Sequence, residues 1–257
     1  MPEHSTWLTF VLAYMKDTLE ANLSLIGDSF IGRESPAWTS FEPIAAAVLT
    51  ALAIVVMALM VRAKLLDTER AVIPEDRLTL RTFFEVFLEY FYDLAKSVMD
   101  EERAKRYYPV IGTSALFVFG CNVLALLPIN PVATSSLNVT LGCALVVFVL
   151  FNAYGLMANG WSYVKHLAGP SPFLAILIFP IELISLCVRP ITLSVRLMLN
   201  MSVDHLIFLI FFGLFPLLAP VPVQLLGVVI VIVQTLVFAL LTTIYIGMAT
   251  EHEEHEH

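Results

Sequence analysis

The sequence predicts an all-α, polytopic membrane protein with about five membrane-embedded helices, amphipathic helices at the interface and a long helical hairpin at its end. Two observations carry that expectation. Of 257 residues, 59% are hydrophobic and 14% charged, with a mean hydropathy of +0.85, whereas roughly a quarter of residues in soluble domains are charged. The apolar residues also come in uncharged blocks of 19, 58 and 45 residues, long beside the ~20 that a helix needs to cross a ~30 Å hydrocarbon core. A soluble enzyme is excluded on these grounds. Nucleic acid is excluded as a partner, because a net charge of -8 with 14 Lys and Arg in all cannot supply the clustered cations that phosphate binding needs.

The first segment, residues 1–42, is acidic: Lys16 and Arg33 stand against Glu3, Asp17, Glu20, Asp28, Glu34 and Glu42. No cationic stretch followed by a short apolar core and a small-residue cleavage site opens it, so no secretory signal peptide is expected. Trp7 to Leu25 is partly amphipathic and reads as a short surface helix. Pro43 to Val61 is uncharged and forms the first membrane helix (43–61). Residues 62–106 then carry nine of the Lys and Arg, and the positive-inside rule places them in the cytoplasm and the N-terminus outside. Within them Leu78, Phe83, Phe84, Phe87, Leu88, Phe91, Leu94 and Ala95 recur at helical spacing among charges, the pattern of an interfacial or partner-facing amphipathic helix.

From Tyr107 to Val164 there is no Asp, Glu, Lys or Arg, which is room for two spans. The turn signals around Pro128, Asn130, Pro131 and Thr134 to Ser136 divide the block into helices near 109–127 and 137–157. Lys165 and His166 return the chain to the cytoplasmic side. The last part of this 107–250 membrane region reads as a hairpin, with a charged arm from about 172 to 217, a proline-rich turn marked by Pro216, Pro220 and Pro222, and a return arm from about 221 to 248. The tail 251–257, rich in His and Glu, emerges in the cytoplasm. Cys121, Cys143 and Cys187 lie in apolar stretches with no metal-binding spacing and read as small buried hydrophobes.

Ionisable groups in a bilayer segment cost about 2.5–3.5 kcal/mol each on insertion scales and mark a pathway or a functional site. On the charged arm they are ordered. At ~100° per residue, Glu182, Ser185, Arg189, Thr192, Arg196, Asn200 and Asp204 fall within about 120° of one another, a single polar stripe, although Pro190 bends the helix within it. Glu182 and Arg189 stand two turns apart and can pair to help the arm pack. Arg196 has no near carboxylate, its closest acidic neighbour on the stripe being Asp204 two turns away, so its partner lies on another helix or another chain. The return arm offers no acid. Gln234 can present its amide oxygen to a guanidinium or serve as a packing residue.

These residues resemble a known family. Phe179-Pro-Ile-Glu182-Leu-Ile-Ser185, Arg189-Pro-Ile-Thr-Leu-Ser-Val-Arg196-Leu-Met-Leu-Asn200 and Gln234-Thr-Leu-Val-Phe-Ala-Leu-Leu-Thr242-Thr-Ile-Tyr245 are similar to subunit a of F-type ATP synthases. Asn122 to Pro128 and Thr134 to Thr140 match that family's second and third spans. The resemblance implies the stationary half of a rotary ion translocator, a non-catalytic subunit whose hairpin packs against a rotor of c subunits, each with a membrane carboxylate. It implies b subunits of the peripheral stalk as further partners, the whole ATP synthase complex as the assembly, and the bacterial plasma (inner) membrane as the location. Arg196 becomes the arginine that faces the c-ring. Glu182, Asn200, Asp204, His205, Gln234 and Tyr245 line the channel, with Ser185 and Arg189 in support, and no cofactor or metal is called for. Two positions depart from the pattern. Leu199 stands where the family has a small residue, and the return-arm position that usually carries a titratable group is near Gly227. His205 matches the first-arm channel position, and Asp204 is the candidate to replace the missing group, though His205 points about 100° from it on the wheel. The bland alternative is that Asp204 ends the stripe and His205 satisfies a backbone carbonyl.

The remaining signals are weaker. His252, His255 and His257 have the composition for weak divalent-metal binding, but a solvated disordered tail explains them better. Asn138-Val-Thr140 fits a glycosylation sequon yet abuts a span. A secondary transporter with a midplane site is the rival class; it would need converging charges and an inverted repeat, neither of which the sequence shows. A structural membrane anchor would account for the 78–95 helix but not for Arg196.

Overall fold

The computed structural model describes residues 6–26, 41–65, 79–127, 130, 132–160, 163, 172–214 and 220–251. Two short helices come first, α1 (Trp7–Tyr14) and α2 (Lys16–Ile26), followed by α3 (Glu42–Leu65), α4 (Leu80–Val98) and α5 (Glu101–Ala125). A 3-10 turn at Ala133–Ser135 leads into α6 (Leu137–Asn159), and the hairpin arms are α7 (Pro172–Leu214) and α8 (Pro220–Thr250). Five of these, α3, α5, α6, α7 and α8, are long and apolar enough to cross a membrane, as a polytopic all-helical protein requires. The turn around Pro128 and Pro131, the loop at Lys165 and His166, the proline turn at Pro216, Leu78 and the tail 252–257 lie outside the described residues.

Local chemistry sets the helix ends. Thr79 holds an extended conformation before α4, and its hydroxyl accepts the N–H of Thr82 at 3.4 Å, which satisfies one of the first-turn donors that a helix leaves open. One face of α4 buries Phe84, Phe91 and Ala95. The next helix, α5, begins at Glu101, eight residues before the position that hydropathy suggests. Glu101 and Glu102 in its first turn favour the positive end of the helix dipole, so the helix continues past the apolar boundary into the charged segment, and Pro109 is carried inside it. Pro220 and Pro222, expected in a turn, instead open α8, where the missing N–H groups would have no helical acceptor anyway. Across Pro180 and Pro190 α7 stays helical for 43 residues.

The return arm α8 is the hub, packing against α5, α6, α7 and α4. Its Phe238 and Ile246 meet Ile111 and Val118 of α5, Phe151 of α6 and Leu193 and Leu197 of α7 in the main apolar cluster. At Gly155 the approach of α6 is so close that a Cβ there would come within 3.0 Å of the Ala249 carbonyl oxygen. Just beyond, Asn159 Nδ2 donates to the carbonyls of Ala249 (3.2 Å) and Glu251 (3.1 Å), which fastens the last turn of α8. By contrast α3 is peripheral, leaning on α5 and presenting Val48, Leu52, Val56 and Leu59 outward. The N-terminal α1 rests on it through Leu8, and Trp7 Nε1 donates to Asn130 Oδ1 at 2.9 Å.

Candidate functional site

The buried side of α7 is set by Leu186, Leu193, Leu197 and Met201. The polar stripe runs beside that face and so emerges on the surface of the chain. Ser185, Thr192, Arg196 and Asn200 are exposed, while Glu182, Arg189, Asp204 and His205 are half-buried. Arg196 makes no hydrogen bond or ion pair among the described residues. Leu199, one turn on, is also exposed, so the bulky residue in place of a small one stands on the outer surface of α7.

Glu182 and Arg189 form no ion pair among the described residues. The Arg189 guanidinium instead lies over the ring of Tyr245 on α8, 5.2 Å from its centroid, a contact worth about 0.5–2 kcal/mol. The Tyr245 ring is in turn 5.8 Å from Phe151. Next to Phe151, Asn152 accepts the phenol of Tyr163 through Oδ1 at 3.1 Å, and the Tyr163 ring lies against Gly155, where a Cβ would come within 2.9 Å of it. Burial pushes the Tyr163 phenol above its ordinary pKa; Arg189 pulls it down and Glu182 pushes it up. Glu182, Arg189, Tyr245 and Tyr163 therefore gather at one end of the hairpin.

Midway along, a side-chain hydrogen bond joins the two arms. Asn200 Nδ2 donates to Gln234 Oε1 at 2.6 Å, so the glutamine oxygen that sequence reasoning offers to a guanidinium is engaged by Asn200. Gln234 is 2% exposed, and its Nε2 has no partner among the described residues. A buried donor left unmade costs about 1–3 kcal/mol.

At the other end Asp204 and His205 line one cleft of about 20 Å³ with Met201, Phe208, Leu126 and Gln224, room for about one water. The separation on the wheel does not keep them apart, because α5 and α8 close over both. The Asp204 carboxylate sits directly on Gly227, where a Cβ would come within 2.9 Å of Oδ2. An acid on the first arm thus occupies the space that a return-arm side chain would take. Gln224 Nε2 donates to the Leu126 carbonyl and Ser202 Oγ to that of Ser135.

Sequence reasoning missed Tyr163 and Asn152 as parts of this arrangement, and saw Gln224 as a polar residue of the return arm without giving it a place in the channel. Asn152, like Gln224, is a polar residue inside an uncharged span, a signal that was available; Tyr163 carries none, because its position follows from how the helices cross.

A family profile described as ATP synthase A chain matches residues 44–247. ATP synthase subunit a of Sorangium cellulosum is 55% identical over 256 residues, covering 99% of this chain and 100% of that protein. Subunit a of a Sulfurihydrogenibium species is 40% identical over 68% of this chain and 84% of its own length. The Bdellovibrio bacteriovorus protein of the same description is 36% identical, covering 75% and 84%.

Proposed function

The chain belongs to the ATP synthase A chain family, and on that premise we propose that it is the stator of a rotary proton translocator, with Arg196 governing the charge of carboxylates on a passing c-ring. The observation that carries this reading is an exposed arginine on a membrane helix with no partner among the described residues. A cation is costly in lipid, so an arginine held there is stabilised by an anion from another chain. A rotor carboxylate facing lipid must be neutral; within a few Å of Arg196 it can ionise, since a neighbouring cation lowers a carboxylate pKa by about 1–3 units. Arginine suits the task because its guanidinium stays charged when buried.

Two half-channels follow from the two polar ends of the hairpin. Glu182, with Ser185, Arg189 and Tyr245, lines the cytoplasmic one. Asp204 and His205 line the outer one, Asp204 standing in for the absent group at 227. Asn200 and Gln234 lie between them, joined by their own hydrogen bond. Because the half-channels do not meet, a proton crosses only by riding the rotor, and each charge moved contributes ~2.3 kcal/mol per 100 mV to rotation and ATP synthesis. The chain itself makes and breaks no covalent bond. Its partners are the c-ring, the b subunits of the peripheral stalk and the rest of the complex, in a bacterial plasma membrane with the N-terminus outside and the C-terminus in the cytoplasm.

Replacing Arg196 by Ala tests the proposal in inverted membrane vesicles. Assembly with the c-ring should persist while ATP-driven proton pumping disappears; pumping near the wild-type rate would sink it.

A further inference from the structure

Asn152 is a polar side chain about 10 Å inside the membrane helix α6, counted back from Asn159 at 1.5 Å per residue. A polar group at that depth needs a partner or a role. Its Nδ2 donates to the Phe148 carbonyl at 2.7 Å, and its Oδ1 accepts the phenol hydrogen of Tyr163 at 3.1 Å, so the amide is held from both sides. An amide oxygen has two acceptor positions, and a phenol oxygen still accepts after it has donated. Asn152 Oδ1 and Tyr163 Oη therefore each keep an acceptor position that no described residue fills.

These oxygens stand at the charged end of the hairpin. Phe151, beside Asn152 in the chain, is 5.8 Å from the Tyr245 ring, over which the Arg189 guanidinium lies at 5.2 Å. Burial raises the Tyr163 pKa, and the phenol also responds to Arg189, which lowers it, and to Glu182, which raises it. Both ionisable groups of α7 are thus within electrostatic reach of Tyr163. Phe151 is buried and Ala153 exposed, so Asn152 marks the edge where the surface of α6 turns from lipid into the packed side.

We propose that Asn152 and Tyr163 form the α6 wall of the cytoplasmic half-channel, their oxygens holding the water that carries a proton between Glu182 and the cytoplasm. This rests on the stator reading above and adds where the path runs, in the seam between α6 and α7 instead of over the outer face of α7. The chemistry suits a proton carrier. A hydronium donates through all three hydrogens, so it is stabilised where acceptors and a carboxylate stand together, and Asn152 Oδ1, Tyr163 Oη and Glu182 are such a set. Arg189 is engaged by the Tyr245 ring and makes no ion pair with Glu182 among the described residues, which leaves the carboxylate to water. Gly155 gives the Tyr163 ring its place and so keeps the phenol on Asn152. Each transfer passes one proton from water to water and leaves both side chains as they were.

The test uses the assembled complex in inverted membrane vesicles, with the free cysteines Cys121, Cys143 and Cys187 replaced by Ala. Methyl methanethiosulfonate attacks the thiolate, which forms where water reaches a thiol, and its adduct is read from the mass of the subunit. Asn152→Cys should react several-fold faster than Ala153→Cys, its exposed neighbour at the same depth. Tyr163→Phe keeps the ring against Gly155 and removes only the hydroxyl; it should slow ATP-driven proton pumping several-fold while assembly with the c-ring is unchanged. Equal reactivity at 152 and 153, or pumping at the wild-type rate in Tyr163→Phe, overturns the proposal. Arg196→Ala in the same vesicles separates the two possible failures. If that variant pumps, the stator reading falls; if it is silent while position 152 reacts no faster than 153, the α6 wall alone falls.

Discussion

The two arms of the hairpin solve the same problem in opposite ways. Along α8 the hydroxyls of Thr235, Thr242, Thr243 and Thr250 are all buried and each donates to the carbonyl four residues back, at 2.8–2.9 Å. Such back-bonding hides a polar side chain inside its own helix. Along α7 the stripe keeps its polar groups outward, with Arg196 and Asn200 exposed. A helix that hides its polarity is built to be packed against, and one that displays it is built to be met. On the proposed function the difference suits α8 to scaffold and α7 to encounter, with Gln234 the buried exception that faces across.

Changes on α7 should therefore dominate. Arg196→Ala should abolish ATP-driven proton pumping, because the cation that lets a passing carboxylate ionise is gone, and Arg196→Lys should remain poor because the ammonium lacks the guanidinium fork. Next comes the Asp204→Asn, His205→Ala double variant, expected to slow proton flux more than either single change and to flatten its dependence on external pH between about 5 and 8, where imidazoles change charge. Normal flux with unaltered pH dependence would leave Asp204 and His205 as packing residues. A smaller effect is expected from Glu182→Gln, which should slow transport without stopping it, and a cysteine at 182 should react with impermeant thiol reagents from the cytoplasmic side; reaction from outside alone would reverse the orientation. The smallest belongs to α8. Thr242→Val should cost about 0.6 kcal/mol of stability, typical of intramembrane hydrogen bonds, and leave flux unchanged, whereas lost flux would break the contrast between the arms.

Much of the fold was legible because charge in lipid is expensive, so uncharged blocks mark spans wherever they occur. The stripe from Glu182 to Asp204 was equally legible, since 100° per residue fixes which side chains of one helix share a side. What stayed hidden depends on a second helix. Arg189 could be placed on the stripe, but its choice of Tyr245 over Glu182 follows from the packing of α7 on α8. Gly227 was visible as a departure, yet that Asp204 fills its space requires the arms to be in register. The start of α5 at Glu101 was obscured for a different reason: hydropathy reports where lipid ends, and helix propensity carries a helix beyond it.

The bonds at the two ends of α8 bear on mechanics. Gln224, near its start, donates to the Leu126 carbonyl at the end of α5, and Asn159 of α6 grips its final carbonyls. A rod pinned at both ends deflects far less under a sideways load than one anchored at a single end. On the proposed function a rotor moving along the hairpin would deliver that kind of load, and these two side-chain amides would help pass its reaction force into α5 and α6.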